Sequence, residues 1–173
     1  MATSALIPVS EYLSTSYEPD CDYVDGEVQE RNLGETEHSD LQAQIAELLR
    51  TPECKKFIRT TTEPRVQVKE TRFRVPDVCV RRVSDHKGRF ITHAPLVCIE
   101  ILSPEDRMSR TREKVRDYLG MGVRQVWVFD PALRSVLIFA EGSIVEHSEG
   151  ELKVPETQLS IQLSDVFQAL DPY

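Results

Sequence analysis

The sequence predicts an α/β (α+β) fold, a mixed sheet lying between helices, and three observations carry that prediction. Residues 96–102, Leu96-Val97-Cys98-Ile99-Glu100-Ile101-Leu102, are nearly all apolar, as expected of a strand covered on both faces. Apolar residues at helical spacing recur over 36–49 and 109–121, one segment on each side of that run. Between the first helix and the run, residues 57–83 are rich in β-branched and aromatic side chains, which reads as antiparallel strands.

Taken in order, Ile7-Pro8-Val9-Ser10 leads into a short helical segment. Tyr23-Val24-Asp25-Gly26-Glu27-Val28 reads as a tight hairpin, because Asp-Gly supplies the positive φ such a turn needs. The helix over 36–49 rests on Leu41, Ile45, Leu48 and Leu49, with Thr36 as expected N-cap and Pro52 just beyond its end. Strands are expected over 57–69 and 72–83, joined by the polar turn Lys69-Glu70-Thr71, while Pro64 and Pro76 limit where the ladder can be continuous. A basic loop, 84–89, separates them from the apolar run, which Ser103-Pro104 ends. The helix over 109–121 turns Val115, Tyr118 and Leu119 inward and is expected to close at Gly120 and Gly122. Val126-Trp127-Val128-Phe129 is a short buried strand, Asp130-Pro131 a turn, 135–140 and 143–147 an outer hairpin around Glu141-Gly142, and 163–170 a terminal helix. Two consecutive strands with only a loop between them, carrying Asp77 and Glu100, set this order apart from a doubly wound nucleotide-binding fold.

With 173 residues, 40% of them apolar and 29% charged, the chain reads as a single domain, 1–173, with its core at about 23–140. Its formal charge of −8 repels nucleic acid at long range, so a nucleic-acid partner would need a local basic patch or bound cations. No apolar stretch approaches the ~20 residues that span a bilayer, and the start lacks a basic end followed by a long apolar core. The expected setting is cytoplasmic, with no membrane partner. Cys21, Cys54, Cys79 and Cys98 form no CxxC pair, which argues against a zinc ribbon or a thioredoxin-type site.

Glu100 is the strongest chemical clue. A carboxylate inside an apolar strand costs several kcal/mol to desolvate unless it is paired, protonated or bound to a cation. The plain alternative is a strand-end acid met by an Arg or by backbone N–H groups. Asp77, in Arg74-Val75-Pro76-Asp77-Val78, lies on the preceding strand and can reach the same face or strand end. On its own it would be read as a turn residue after Pro76. Two carboxylates that close raise each other's pKa unless a divalent cation sits between them, a geometry that suits Mg2+ or Mn2+. Lys114 shares a helical stripe with Tyr118 and Met121 beside the core face; near two acids it could orient water or stabilise phosphate charge. Alone it is one more member of a solvated basic face, as Arg112 and Arg116 are. His38 heads the stripe that continues through Leu41, Ile45 and Leu48, and is either a helix-end packing residue or a metal ligand, proton shuttle or phosphate contact.

The ordered set of Arg74-Val75-Pro76-Asp77-Val78, Ile99-Glu100-Ile101-Leu102-Ser103-Pro104, Lys114 with Tyr118, Gly122-Val123 and Val126-Trp127-Val128-Phe129-Asp130-Pro131 resembles the Uma-two family of restriction-endonuclease-like proteins. The hairpin at Asp25-Gly26 and His38 fit as well, and the resemblance runs from about residue 23 to 139. The family is placed in the PD-(D/E)XK nuclease superfamily, so the resemblance implies helices flanking a mixed sheet, peripheral hairpins, and a metal site at the ends of two adjacent strands. It makes Asp77 and Glu100 the implied Mg2+ or Mn2+ ligands. The superfamily's usual lysine position is Leu102 here, which implies that the lysine has moved to Lys114 on the following helix. Arg110 stands where similar proteins carry an acid, weakening the metal site or adding a phosphate contact.

The expected function is therefore divalent-metal-dependent endonuclease action on DNA, with Asp77, Glu100, Lys114 and His38 as site residues. A homodimer is the assembly considered with it. The basic segments Arg81-Arg82, His86-Lys87-Gly88-Arg89 and 107–116 are the candidate borders for DNA. The alternative is a catalytically silent protein of the same fold that works as a binding or oligomerisation module, which Leu102 and Arg110 favour. A cysteine hydrolase built on Cys79 or Cys98 is disfavoured, because a buried thiol has a raised pKa.

Overall fold

In the computed structural model, residues 6–32, 35–85 and 88–172 are described; His86 and Lys87 of the basic loop lie outside them. In chain order the elements are α1 (Val9–Ser14), β1 (Asp22–Val24), β2 (Glu27–Gln29), α2 (Thr36–Leu48), β3 (Ile58–Thr62), β4 (Val66–Lys69), β5 (Arg72–Arg74), β6 (Val78–Arg82) and β7 (Val97–Ile101). There follow α3 (Met108–Met121), β8 (Gln125–Asp130), β9 (Ser135–Ala140), β10 (Ser143–His147), β11 (Glu151–Lys153), β12 (Ser160–Gln162) and α4 (Leu163–Phe167).

The apolar run is β7, buried at every position, inside a six-stranded sheet of order β10-β9-β8-β7-β6-β3. It pairs antiparallel with β6 and parallel with β8, with α3 as the crossover between the two parallel strands. Alternation along β7 then divides the core. Val97, Ile99 and Ile101 join Trp127 and Phe129 against Leu41 and Ile45 of α2 and Val166 and Phe167 of α4. Cys98 faces the other way, with Val126 and Val128, toward Val115 and Tyr118 of α3.

The two long strands expected over 57–69 and 72–83 are each broken in two. Glu63 adopts φ 50 just before Pro64, and Pro76 sits in the gap between β5 and β6, so neither ladder can run through. The inner halves, β3 and β6, extend the main sheet; the outer halves, β4 and β5, join the hairpin β1–β2 in a second sheet of order β2-β1-β5-β4. The hairpin turns at Asp25 (φ 50) and Gly26 (φ 104), the left-handed pair its sequence predicts. Tyr12 of α1 stacks on Tyr23 and packs at a tilt against Phe73, pinning α1 to this small sheet.

Other expectations are corrected at the chain's edges. Thr36 is the first residue of α2 and the N-cap is Glu35, with no side-chain cap bond. Gly120 lies within α3, and Gly122 alone closes it, at φ 102. The outer hairpin of 135–147 forms as expected, and because β9 pairs with β8, β9 and β10 continue the main sheet to its edge. Past residue 140, where the core was expected to end, Leu152, Val154, Ile161 and Val166 are buried in the same cluster as β7. They come from an additional hairpin, β11–β12, and from α4, which runs into a 3-10 turn at Gln168–Leu170. No helix among the described residues is long and apolar enough to cross a membrane.

Candidate active site

The break at Val75-Pro76-Asp77 positions the first acid. β6 pairs with β7 as Val78↔Ile99 and Cys79↔Cys98, and Asp77 lies at the bend just before β6, beside the end of β7 that carries Glu100. Asp77 Oδ2 accepts the Ile101 backbone N–H at 2.7 Å, a side chain standing in for the ladder bond that the proline break interrupts. Its own carbonyl accepts Gln42 Nε2 of α2 at 3.0 Å. Asp77 and Glu100 line one cavity of about 40 Å3 together with Arg31, His38, Arg110 and Lys114. By volume it admits roughly three waters.

Two basic side chains meet Asp77. Arg31 Nη2 donates to Oδ1 at 2.5 Å, and His38 Nε2 lies 3.3 Å from Oδ2. Burial pushes the Asp77 carboxyl up, but the His38 hydrogen bond and the charges of Arg31, His38 and Lys114 outweigh it and hold it below the usual carboxylate range. Burial pushes His38 down, and its bond to Asp77 more than reverses this, so the imidazole is held above its ordinary value.

Glu100 is met by α3. Lys114 Nζ donates to Oε2 at 2.8 Å and the Tyr118 hydroxyl to Oε1 at 2.7 Å, one helical turn apart on one stripe. Burial raises the Glu100 carboxyl, and Asp77 and Asp22 add to that against the pull of Lys114. Lys114 loses by desolvation, but Asp22, Glu100 and Asp77 hold its ammonium above the ordinary value, so it stays charged at neutral pH. Arg110, one turn before Lys114, lines the same cavity and donates through Nη2 to the Glu30 carbonyl at 2.5 Å. Leu102, at the usual lysine position, is half-buried on the cavity wall.

Two residues were not identified from the sequence. Asp22 of β1 is fully buried, accepts the Val75 N–H at 2.8 Å and stands 3.7 Å from Lys114 Nζ, so it braces both the strand break and the lysine. Its signal was present, an acid among β-formers in Cys21-Asp22-Tyr23-Val24, the argument used for Glu100. Arg31 lies in irregular chain between β2 and α2 and carries no such pattern. Cys79 and Cys98 are fully buried, and burial pushes the Cys98 thiol far up, leaving it no nucleophilic character.

The chain matches the Uma2 family, described as putative restriction endonuclease, over residues 9–170. It belongs to that family. The match extends beyond residues 23–139 at both ends and takes in the last hairpin and α4. A crystal structure of a protein from Anabaena variabilis, described as a putative nuclease, is similar at a TM-score of 0.83 and 21% identity, covering 95% of this chain and 99% of that one. The shared fold is thus a nuclease-like one, and Uma2 membership supports a nuclease-like function. No curated protein matches the sequence significantly.

The donor set can be tested against a divalent cation. Among the described residues no three His, Cys, Asp or Glu side chains form a ready-made metal cage. Two hard carboxylates do face a space with room for water, and a carboxylate has about four acceptor sites. Asp77 uses three of them and Glu100 two, so both keep capacity toward the cavity. The residues fit an ion held by two acids and completed by water.

Proposed function

We propose that this Uma2 protein is a divalent-metal-dependent phosphodiesterase acting on DNA. The observation that carries the reading is the meeting of Asp77, Glu100 and Lys114 on one cavity wall, two hard acids and a buried ammonium 2.8 Å from one of them. Asp77 and Glu100 would hold Mg2+ or Mn2+, which when bound supplies Lewis-acid stabilisation of a phosphate and a more acidic water. Tyr118 fixes the Glu100 carboxylate in place. Lys114, kept charged by Asp22, would donate a hydrogen bond from Nζ to a phosphate oxygen, whose growing negative charge it stabilises, or to the attacking water, which it orients. His38 orients Asp77 through its contact with Oδ2. Exposed Arg107, Arg112 and Arg116 supply local positive charge at the start and along α3 in a chain of net charge −8.

The test is incubation of supercoiled and linear DNA with Mg2+ or Mn2+. The wild type should nick or cut, chelator should stop it, and Asp77→Asn and Glu100→Gln should be inactive. A second reading, the catalytically silent fold, is favoured by one observation, that each acid already has a base in contact. Absence of cleavage with either metal in the wild type would select it.

A further inference from the structure

Arg31 occupies one carboxylate oxygen of Asp77, Oδ1, and three contacts fasten it there. Its side chain is about nine-tenths buried, with Nη2 at 2.5 Å from Asp77 Oδ1. Arg110 holds the carbonyl of Glu30 at 2.5 Å, and Asn32 Nδ2 donates to Asp106 Oδ1 at 2.8 Å. The segment 30–32 is thus strapped over the cavity by residues on both sides of Arg31. The guanidinium keeps hydrogen-bonding capacity: buried Nη1 makes no hydrogen bond and only an ion pair with Glu63 Oε1 at 3.4 Å, while the side chain lines the cavity with Asp77, Glu100 and Lys114. A planar fork with donors left over is matched to an anion with two oxygens.

We infer that Arg31 is a built-in counter-cation that occupies Asp77 in the free protein and transfers to a phosphodiester oxygen when metal and substrate enter. This rests on the phosphodiesterase reading. A divalent ion added beside Arg31 and Lys114 without an anion meets like charge on both sides, so the ion and the phosphodiester bind together better than either alone. Coupling of that kind is reciprocal: whatever factor the anion contributes to ion affinity, the ion contributes to anion affinity.

The test is calorimetric titration of Mn2+ into wild type, Arg31→Gln, Arg31→Lys and Asn32→Ala, each with and without dimethyl phosphate as a plain phosphodiester anion. Arg31→Gln should bind Mn2+ at least about tenfold more tightly than wild type without the anion, a difference of one decade in Kd. Arg31→Lys keeps the charge and should stay near wild type. Dimethyl phosphate should tighten Mn2+ binding to wild type and leave Arg31→Gln unmoved. Asn32→Ala, an exposed change, should shift affinity in the same direction as Arg31→Gln and carries the test if that variant does not fold. Mn2+ affinity unchanged or weaker in Arg31→Gln, or in Asn32→Ala where Arg31→Gln does not fold, overturns the inference, as does an equal gain in Arg31→Lys. If DNA is cleaved with Mn2+ in that case, the phosphodiesterase reading stands alone; if no protein binds Mn2+ under any condition, both fall.

Discussion

Two buried ionic clusters lie side by side in this molecule, one around Arg74 and one around Asp77 and Glu100, and they are built differently. Arg74 is wholly buried and donates to Asp22, Asp117, Glu113 and Gln29, while Asp22 also accepts the Val75 N–H. It joins the small sheet to α3 and is not part of the cavity wall. The second cluster uses the same residue types, yet Asp77 and Glu100 line a cavity and keep acceptor capacity, and Arg31 Nη1, ion-paired with Glu63, makes no hydrogen bond. Saturated buried charge fixes a fold; unsaturated buried charge beside a cavity marks a place for a ligand.

The contrast breaks first at Arg74. Arg74→Met removes the one base shared by Asp22 and Asp117, and a broken buried network costs about 3–5 kcal/mol, read as a lower urea midpoint. A loss below about 1 kcal/mol would mean that this cluster is no more structural than the other.

Lys114→Met should cost less in stability, about 1–3 kcal/mol, because Glu100, already raised by burial, can take up a proton when its partner leaves. DNA cleavage should fall by about 10²–10³-fold, the effect of losing one preorganised donor to developing charge. An equal stability loss at Lys114 and Arg74 with cleavage intact would erase the distinction between the clusters.

His38→Gln sharpens the comparison through pH. The folded pKa of His38 lies above its ordinary 6.5, so the stability it contributes in the metal-free protein is complete below 6.5 and is lost as pH rises through the folded value. The melting-temperature gap between wild type and His38→Gln should therefore be widest in mild acid and close in alkali. A gap independent of pH would show that His38 only packs.

The smallest effect belongs to Arg82, which pairs with Glu156 on the exposed surface. Arg82→Ala should change neither melting temperature nor cleavage measurably, as expected of a solvated ion pair.

How much of this the sequence disclosed depended on range. Glu100 announced itself because desolvation makes an acid in an apolar strand anomalous, and α3 because Lys114 and Tyr118 sit one turn apart. Strand breaks at Pro64 and Pro76 were visible only as limits on the ladder, and that each long strand divides between two sheets is decided by pairings across the chain. The core's extension through Leu152 and Ile161 was missed because β11 and β12 are three residues each, too short for a period to show. Arg31 reaches Asp77 across 46 residues from a stretch without regular structure, and nothing local records that contact.

The central claim, that Asp77 and Glu100 form a cation site poised for phosphodiester chemistry, is tested most directly by melting wild type and Glu100→Gln with and without Mn2+. A ligand that binds only the folded state stabilises by RT ln(1 + [L]/Kd), about 2.7 kcal/mol at a hundredfold excess over Kd. Wild type should melt higher with Mn2+. Glu100→Gln, which leaves buried Lys114 without the carboxylate it meets at 2.8 Å, should melt below the metal-free wild type and gain nothing from the ion. An equal gain in both proteins, or none in wild type even with DNA present, would contradict the account.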